Sequence, residues 1–252
     1  MPRTGKPAVR HVAAVERAVA VLESLADGEL GTNEIARRTG LNASTASRQL
    51  ATLVAGGLVE HVADTGRYRL GLRLVELANS VLLRLDVRTV ARPHLETLVA
   101  ELDETATLSV PGDPDAVTVD FVRSQQYVQG NTRVGRPSIA HATAAGKVML
   151  AFTGRRPSPP LRAYTERTIT DPDRLAAELE RVRKRGYAEA FEERERELNA
   201  IAAPVWGSDG SLAGIIALHG PTPRFGRAAA RRAVPVVLAH ADTVSRELGA
   251  TL

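Results

Sequence analysis

The sequence predicts an α+β chain in two parts: a small helix-rich unit closed by a hairpin, then an antiparallel sheet with helices on its flanks. Three observations predict it. Thr32–Arg69 reads as helix, tight turn, helix and two short strands. Gly71–Asp86 has helical periodicity with most of its polar residues on one narrow stripe, as a connector between two bodies would. Beyond Val87, strand and helix patterns come in runs rather than in strict alternation, which favours an antiparallel sheet over a parallel one.

The elements follow in order. Residues 1–10 are rich in Pro, Gly and basic groups and read as a disordered arm. Ala13–Leu25 carries apolar residues at helical spacing and is the expected scaffold helix, ending at Asp27-Gly28. In the next unit Asn33 is placed to cap a first helix and Asn42 a second, with a tight turn at Gly40 and a stop at Gly56-Gly57. Asp64-Thr65-Gly66 joins the two strands of Leu58–Leu70. These boundaries give residues 11–70 as the first domain, 71–86 as the connector and 87–252 as the second domain.

A projection of Asn42–Ala55 at about 100° per residue sorts its side chains. Ala46, Leu50 and Leu53 fall on one side. Ser44, Ser47, Arg48 and Ala51 fall on the other, flanked by Thr45 and Thr52. That outward face is slim, hydroxylated and positive, with no acid. A helix entering the major groove of double-stranded DNA needs such side chains, close enough to approach the base edges and able to reach a base or a phosphate. Asn42, Ser44, Thr45, Ser47 and Arg48, with Arg37 beside them and Arg67 holding a phosphate from the hairpin, are the expected DNA-binding residues. The unit reads as a winged helix-turn-helix.

On the connector, Arg73, Glu76, Ser80 and Arg84 form one narrow polar stripe, and between them all the rest but Asn79 is apolar. A helix of that kind needs cover on nearly every side, so it is expected to pair with its equivalent in a second chain. In the second domain, Thr89–Leu102 is a helix that Pro93 kinks or begins. Thr105–Val110, Ala116–Val122 and Tyr127–Asn131 are strands, the first two joined by Pro111–Pro114. Thr143–Phe152 is a helix, and Arg155–Leu161 a proline-rich loop. Asp171 caps a helix from Pro172 to Arg185 that Gly186 ends. Strands Tyr187–Ala190, Ala200–Val205 and Leu212–His219 follow, the last two joined by Ser208–Ser211, and Arg227–Leu248 closes the chain as a helix.

Composition narrows the function classes. The 252 residues include 33 basic and 29 acidic side chains, a net charge of +4 that is too small by itself to mark a nucleic-acid binder. The absence of cysteine excludes disulfides and thiolate metal sites and agrees with a cytoplasmic setting. Apolar runs are broken by Arg or Glu every few residues, so no membrane segment or signal peptide is expected.

Around His141–Met149, small residues precede Gly146-Lys147 at a helix start, where free N–H groups suit an anion. The phosphate-loop spacing fails, because Val148 follows Lys147 and His141 stands where the first glycine belongs. His141 and His219 read as buried or pocket-lining groups rather than metal ligands, and no cofactor is expected. Glu192-Glu193 reads as an acidic turn with Arg183 or Lys184 as partners. No nucleophile–base–acid set or dinucleotide fingerprint is visible, so an enzyme carrying an N-terminal interaction module is the second reading and a non-enzyme the first.

Four segments together resemble the IclR-type (isocitrate lyase regulator) family of bacterial transcription regulators: ERAVAVL at 16–22, LNASTASRQLATL at 41–53, HATAAGKVMLA at 141–151, and RGYA at 185–188 with EE at 192–193 and IAAPV at 201–205. The resemblance implies a winged helix-turn-helix, a linker helix and a GAF-like effector domain, assembled as a homodimer or a dimer of dimers on a pseudo-palindromic operator. It implies control by a small organic or aromatic acid, most simply of a repressor. The residues it implies at the effector are His141, Ala144, Ala145, Gly146, Leu198, Ala200, Ala217 and His219. Two departures stand out: RERE at 194–197 replaces a small, glycine-containing stretch, and Ala190, Ala200 and Ala217 replace polar or sulfur-bearing side chains.

Overall fold

The computed structural model describes residues 12–82, 86–126 and 132–251, and the chain divides into two compact units, 1–84 and 85–252. The expected arm at residues 1–10 and the expected strand Tyr127–Asn131 lie outside the described residues.

The first unit runs α1 (Ala13–Ser24), α2 (Thr32–Thr39), α3 (Ala43–Ala55), β1 (Val59–Val62), β2 (Arg67–Leu70) and α4 (Arg73–Leu82). Its core is Val21, Leu25, Leu30, Ile35, Leu50, Leu53 and Val59, drawn from α1, α2, α3, β1 and the segment between α1 and α2, with Tyr68 of β2 packed against it. Gly40 and Gly57, at φ 69° each, supply the left-handed turns after α2 and α3. The Asn42 side chain accepts the Thr45 N–H at 2.8 Å and caps α3 as expected. The cap assigned to Asn33 is corrected. α2 begins earlier, at Thr32, so Asn33 sits inside its first turn; Gly31 is the N-cap, and its N–H donates to Glu34 Oε2 at 3.0 Å. The hairpin pairs Val59 with Leu70 through Val62 with Arg67. The connector is seen as α4 alone, with residues 83–85 outside the described ones and Asp86 already in the next helix. Leu72, Val75 and Leu77 are 73%, 54% and 51% exposed.

The second unit runs α5 (Asp86–Leu102), β3 (Thr105–Val110), β4 (Ala116–Val122), β5 (Pro137–Ser138), α6 (Ala144–Thr153), α7 (Pro172–Arg185), β6 (Ala188–Phe191), β7 (Leu198–Trp206), β8 (Leu212–Pro221) and α8 (Arg227–Glu247). α5 starts three residues before the expected Thr89, which places Pro93 in the helix interior rather than in its first turn. The strands form one antiparallel sheet in the order β5-β4-β3-β8-β7-β6. Side chains alternate across it. Ala188, Ala190, Ala202, Ile215 and Ala217 pack on the side of α6 and α7, while α5 and α8 pack together on the sheet's other face. Asp171 caps α7, Pro172 opens it and Gly186 at φ 78° ends it, as the sequence predicts.

Register sets the site. Ala190 lies opposite Ala200, Ala200 opposite His219, and Thr107 opposite Ala217. Those short side chains leave a hollow on the α6 side of the sheet.

Candidate functional site

In the first unit, α3 is fixed by burial of Ala46, Leu50 and Leu53, at 0%, 0% and 6% exposure. Ser44, Ser47, Arg48, Ala51 and Thr52 are exposed and Thr45 half-buried, as the projection places them. Asn42 spends its side-chain oxygen on the cap. Among the described residues the Arg48 guanidinium has no ion pair or hydrogen bond, which leaves its charge available. Arg37 is exposed on α2.

Arg67 requires a correction. Its Nη2 binds Glu34 Oε2 at 2.7 Å, and both Nε and Nη2 donate to the Glu29 carbonyl at 3.2 and 2.9 Å. The guanidinium expected to hold a phosphate instead ties the hairpin to α2. The Gly31 N–H first, and Arg67 after it, hold the Glu34 carboxyl below its usual range. Arg69 is likewise engaged by Glu60 at 2.9 Å.

In the second unit, the hollow is a cavity of about 100 Å³ between the sheet, the start of α6 and the segments around Arg136 and Arg194. Of the residues expected there, Ala144, Ala145, Leu198, Ala200, Ala217 and His219 line it. His141 and Gly146 do not. His141 Nε2 donates to the Arg162 carbonyl at 2.9 Å, on the far side of the turn that enters α6. Gly146 serves close packing: a Cβ there would come within 2.3 Å of the Ile139 carbonyl oxygen. Its N–H is taken by Thr143 Oγ1 at 3.0 Å, whereas the N–H groups of Ala144 and Ala145 find no acceptor among the described residues.

His219 Nε2 meets Thr132 Oγ1 at 3.2 Å. Burial first, and the nearby Arg136 charge second, push this imidazole down to about 4, so it is neutral at neutral pH.

The polar rim was missed at the sequence level. Arg136 pairs with Glu195, and Lys147, 1% exposed, reaches from α6 to Glu193 Oε1 at 2.6 Å and to the Glu189 carbonyl at 3.0 Å. The acidic turn is thus held by Arg167 on Glu192, at 2.8 Å, and by Lys147 on Glu193, not by Arg183 or Lys184. Arg183 is directed to the Ala151 carbonyl, at 2.6 Å. The signal was a lone lysine in an otherwise apolar helix, which demands a buried acid. Thr165 and Thr168 hydroxyls donate to the Glu192 and Glu193 carbonyls, both at 2.6 Å, and fix this loop.

Two family descriptions match the chain: the IclR helix-turn-helix domain over residues 14–63 and the C-terminal domain of bacterial transcriptional regulator IclR over 79–246. The protein belongs to the IclR family of bacterial transcriptional regulators. It is 33% identical over 249 residues to the glycerol operon regulatory protein of Streptomyces coelicolor, covering 96% of this chain and 98% of that one. An IclR transcriptional regulator from Alicyclobacillus acidocaldarius superposes with a TM-score of 0.79 at 26% identity, covering 95% of this chain and all of that one. An IclR homologue from Microbacterium hydrocarbonoxydans, solved with 4-hydroxybenzoate, superposes at 0.77 with 28% identity, over 94% and 99% of the two chains. Among the described residues no helix is long and apolar enough to cross a membrane.

Proposed function

We propose that this IclR-family regulator binds a pseudo-palindromic operator as a homodimer or dimer of dimers and releases it when a small organic acid occupies the cavity of the second unit. The observation that carries this reading is α3, whose apolar side is buried while Ser44, Ser47 and an unpaired Arg48 face outward. Arg48 contacts a base edge or phosphate, Ser44, Thr45 and Ser47 position against the strand, and Arg37 adds backbone attraction. Exposed Leu72, Val75 and Leu77 support pairing of α4 with its copy. The acid leaves the cavity chemically unchanged: its binding energy, different in two states of the dimer, does the regulating. Repression is the simplest outcome of that scheme, in the cytoplasm where the operator lies.

The test is a gel-shift assay with the DNA flanking the protein's own gene, with and without candidate acids. A specific complex that an acid weakens supports the reading. Affinity equal to that for unrelated duplex overturns it.

A further inference from the structure

Among the described residues, six buried side-chain nitrogen and oxygen atoms have no hydrogen-bond partner, and three of them belong to residues lining one cavity: Arg194 Nη1, Glu193 Oε2 and His219 Nδ1. Unmade hydrogen bonds of buried groups are costly, and their concentration in a hollow marks where a polar ligand completes them.

The charges there say what the ligand carries. Lys147 is matched by Glu193, and Arg136 by Glu195. Arg194 has no acid partner; its guanidinium lies 4.5 Å from the centroid of the Tyr164 ring, which orients it without neutralising it. One cation is therefore in excess. A second anionic group on the ligand would meet Glu193 or Glu195. Glu193 keeps one oxygen on Lys147 and offers the other as an acceptor. Leu198, Ala200 and Ala217 give one part of the wall an apolar surface, and Thr107, Thr118 and Thr143 add hydroxyl-bearing side chains to the rest. The cavity, at about 100 Å³, is smaller than the engineered cavity of about 150 Å³ that takes up benzene, so only a small ligand suits it.

Building on the effector role proposed for this cavity, we infer that Arg194 receives a carboxylate and Glu193 accepts from a hydroxyl on the same molecule, so that the effector is a small hydroxylated monocarboxylate. Arg194 thereby sets specificity, at a position within the RERE stretch that departs from the family pattern. The unbonded N–H groups of Ala144 and Ala145 are the competing carboxylate site, and the test separates the two.

Four single-ring aromatic probes serve in titration calorimetry on the full chain: 4-hydroxybenzoate, benzoate, 4-hydroxybenzyl alcohol and terephthalate. The wild type is expected to bind 4-hydroxybenzoate best, benzoate about tenfold more weakly, and terephthalate weakest. Arg194→Ala should lose about tenfold or more for both monocarboxylates and little for the neutral alcohol. Arg194→Lys should recover part of the loss, because it restores charge without the fork. Acid binding by Arg194→Ala equal to wild type, terephthalate binding as tight as benzoate, or no probe binding at all would overturn the inference. Gel shifts on the same samples report operator binding separately. Retained operator affinity with failed acid selectivity sinks only the Arg194 assignment, whereas lost operator specificity in the wild type sinks the regulator reading beneath it.

Discussion

Arg48 and Arg67 show how the same residue type takes opposite roles within one small unit. Arg48 projects from α3 with no partner among the described residues, whereas Arg67 is tied to Glu34 and the Glu29 carbonyl. Arg48→Ala is expected to cost about 1–3 kcal/mol of operator affinity if the side chain reads a guanine, with relaxed preference at that base; a uniform loss across sequences instead identifies a phosphate contact. Competition gel shifts with single-base operator variants measure the difference. Arg67→Ala should act mainly on stability, lowering the melting temperature of the first unit. His219 gives a pH-dependent effect. Its folded value of about 4 lies below the ordinary 6.5, so between those values the unfolded chain takes up a proton that the folded chain refuses. Stability is therefore full above about pH 6.5 and falls as pH drops toward 4, by about 1–3 kcal/mol from this group. Urea unfolding at pH 7 and pH 4.5 should show that loss in the wild type, and Glu or Lys changes elsewhere should leave it in place. His219→Gln, which cannot take the proton, should reduce it.

At the level of elements, legibility tracked how far apart in the chain the deciding partners lie. α3 and α7 were readable because their caps are local: Asn42 bonds three residues on, Asp171 likewise, and a glycine closes each. The sheet strands β3, β4, β7 and β8 were readable from alternation and turn residues. What failed was carried by distant pairs. Arg67 finds Glu34 across 33 positions and Lys147 finds Glu193 across 46, and no periodicity encodes either. β5 is only two residues long, held by Ala116 and Val117 of β4, too short to carry a pattern. The cavity was half legible: its alanines and His219 came from the family likeness, while Thr107 and Arg136 required the register. The loop between β6 and β7 makes a test at this scale. Glu192 and Glu197 are both left-handed, at φ 56° and 60°, a conformation that favours glycine. A left-handed non-glycine residue costs about 1–2 kcal/mol, and glycine returns part of that in the unfolded chain. Glu197→Gly is expected to raise stability by about 0.5–1 kcal/mol, read as a higher urea midpoint with unchanged slope.

For the molecule as a whole, the proposed function requires a ligand in the second unit to alter DNA binding by the first, and in the sequence α4 lies at the end of the first unit. Leu72, just before α4, and Val75 and Leu77 on it leave apolar surface exposed, and full burial of each such side chain is worth about 1.5–3 kcal/mol. In the pairing proposed above, a second copy would supply that cover and, by the same contact, would set the distance between two α3 helices. Half-sites on DNA recur at one helical turn or its multiples, so a small change in pairing at α4 is enough to put both α3 helices in or out of phase. Pairing and operator affinity should then fail together. In the double variant Val75→Glu, Leu77→Glu, light scattering after gel filtration is expected to report a monomer whose circular dichroism and acid binding match the wild type. On the intact operator, a dimer that neutralises twice as many phosphates as a monomer has twice the dependence of log affinity on log salt, at about 0.9 per phosphate. The variant should therefore show about half the wild-type slope and bind an isolated half-site as well as the full one. A monomeric variant that keeps the full slope would separate DNA binding from pairing and remove α4 from the route between cavity and operator.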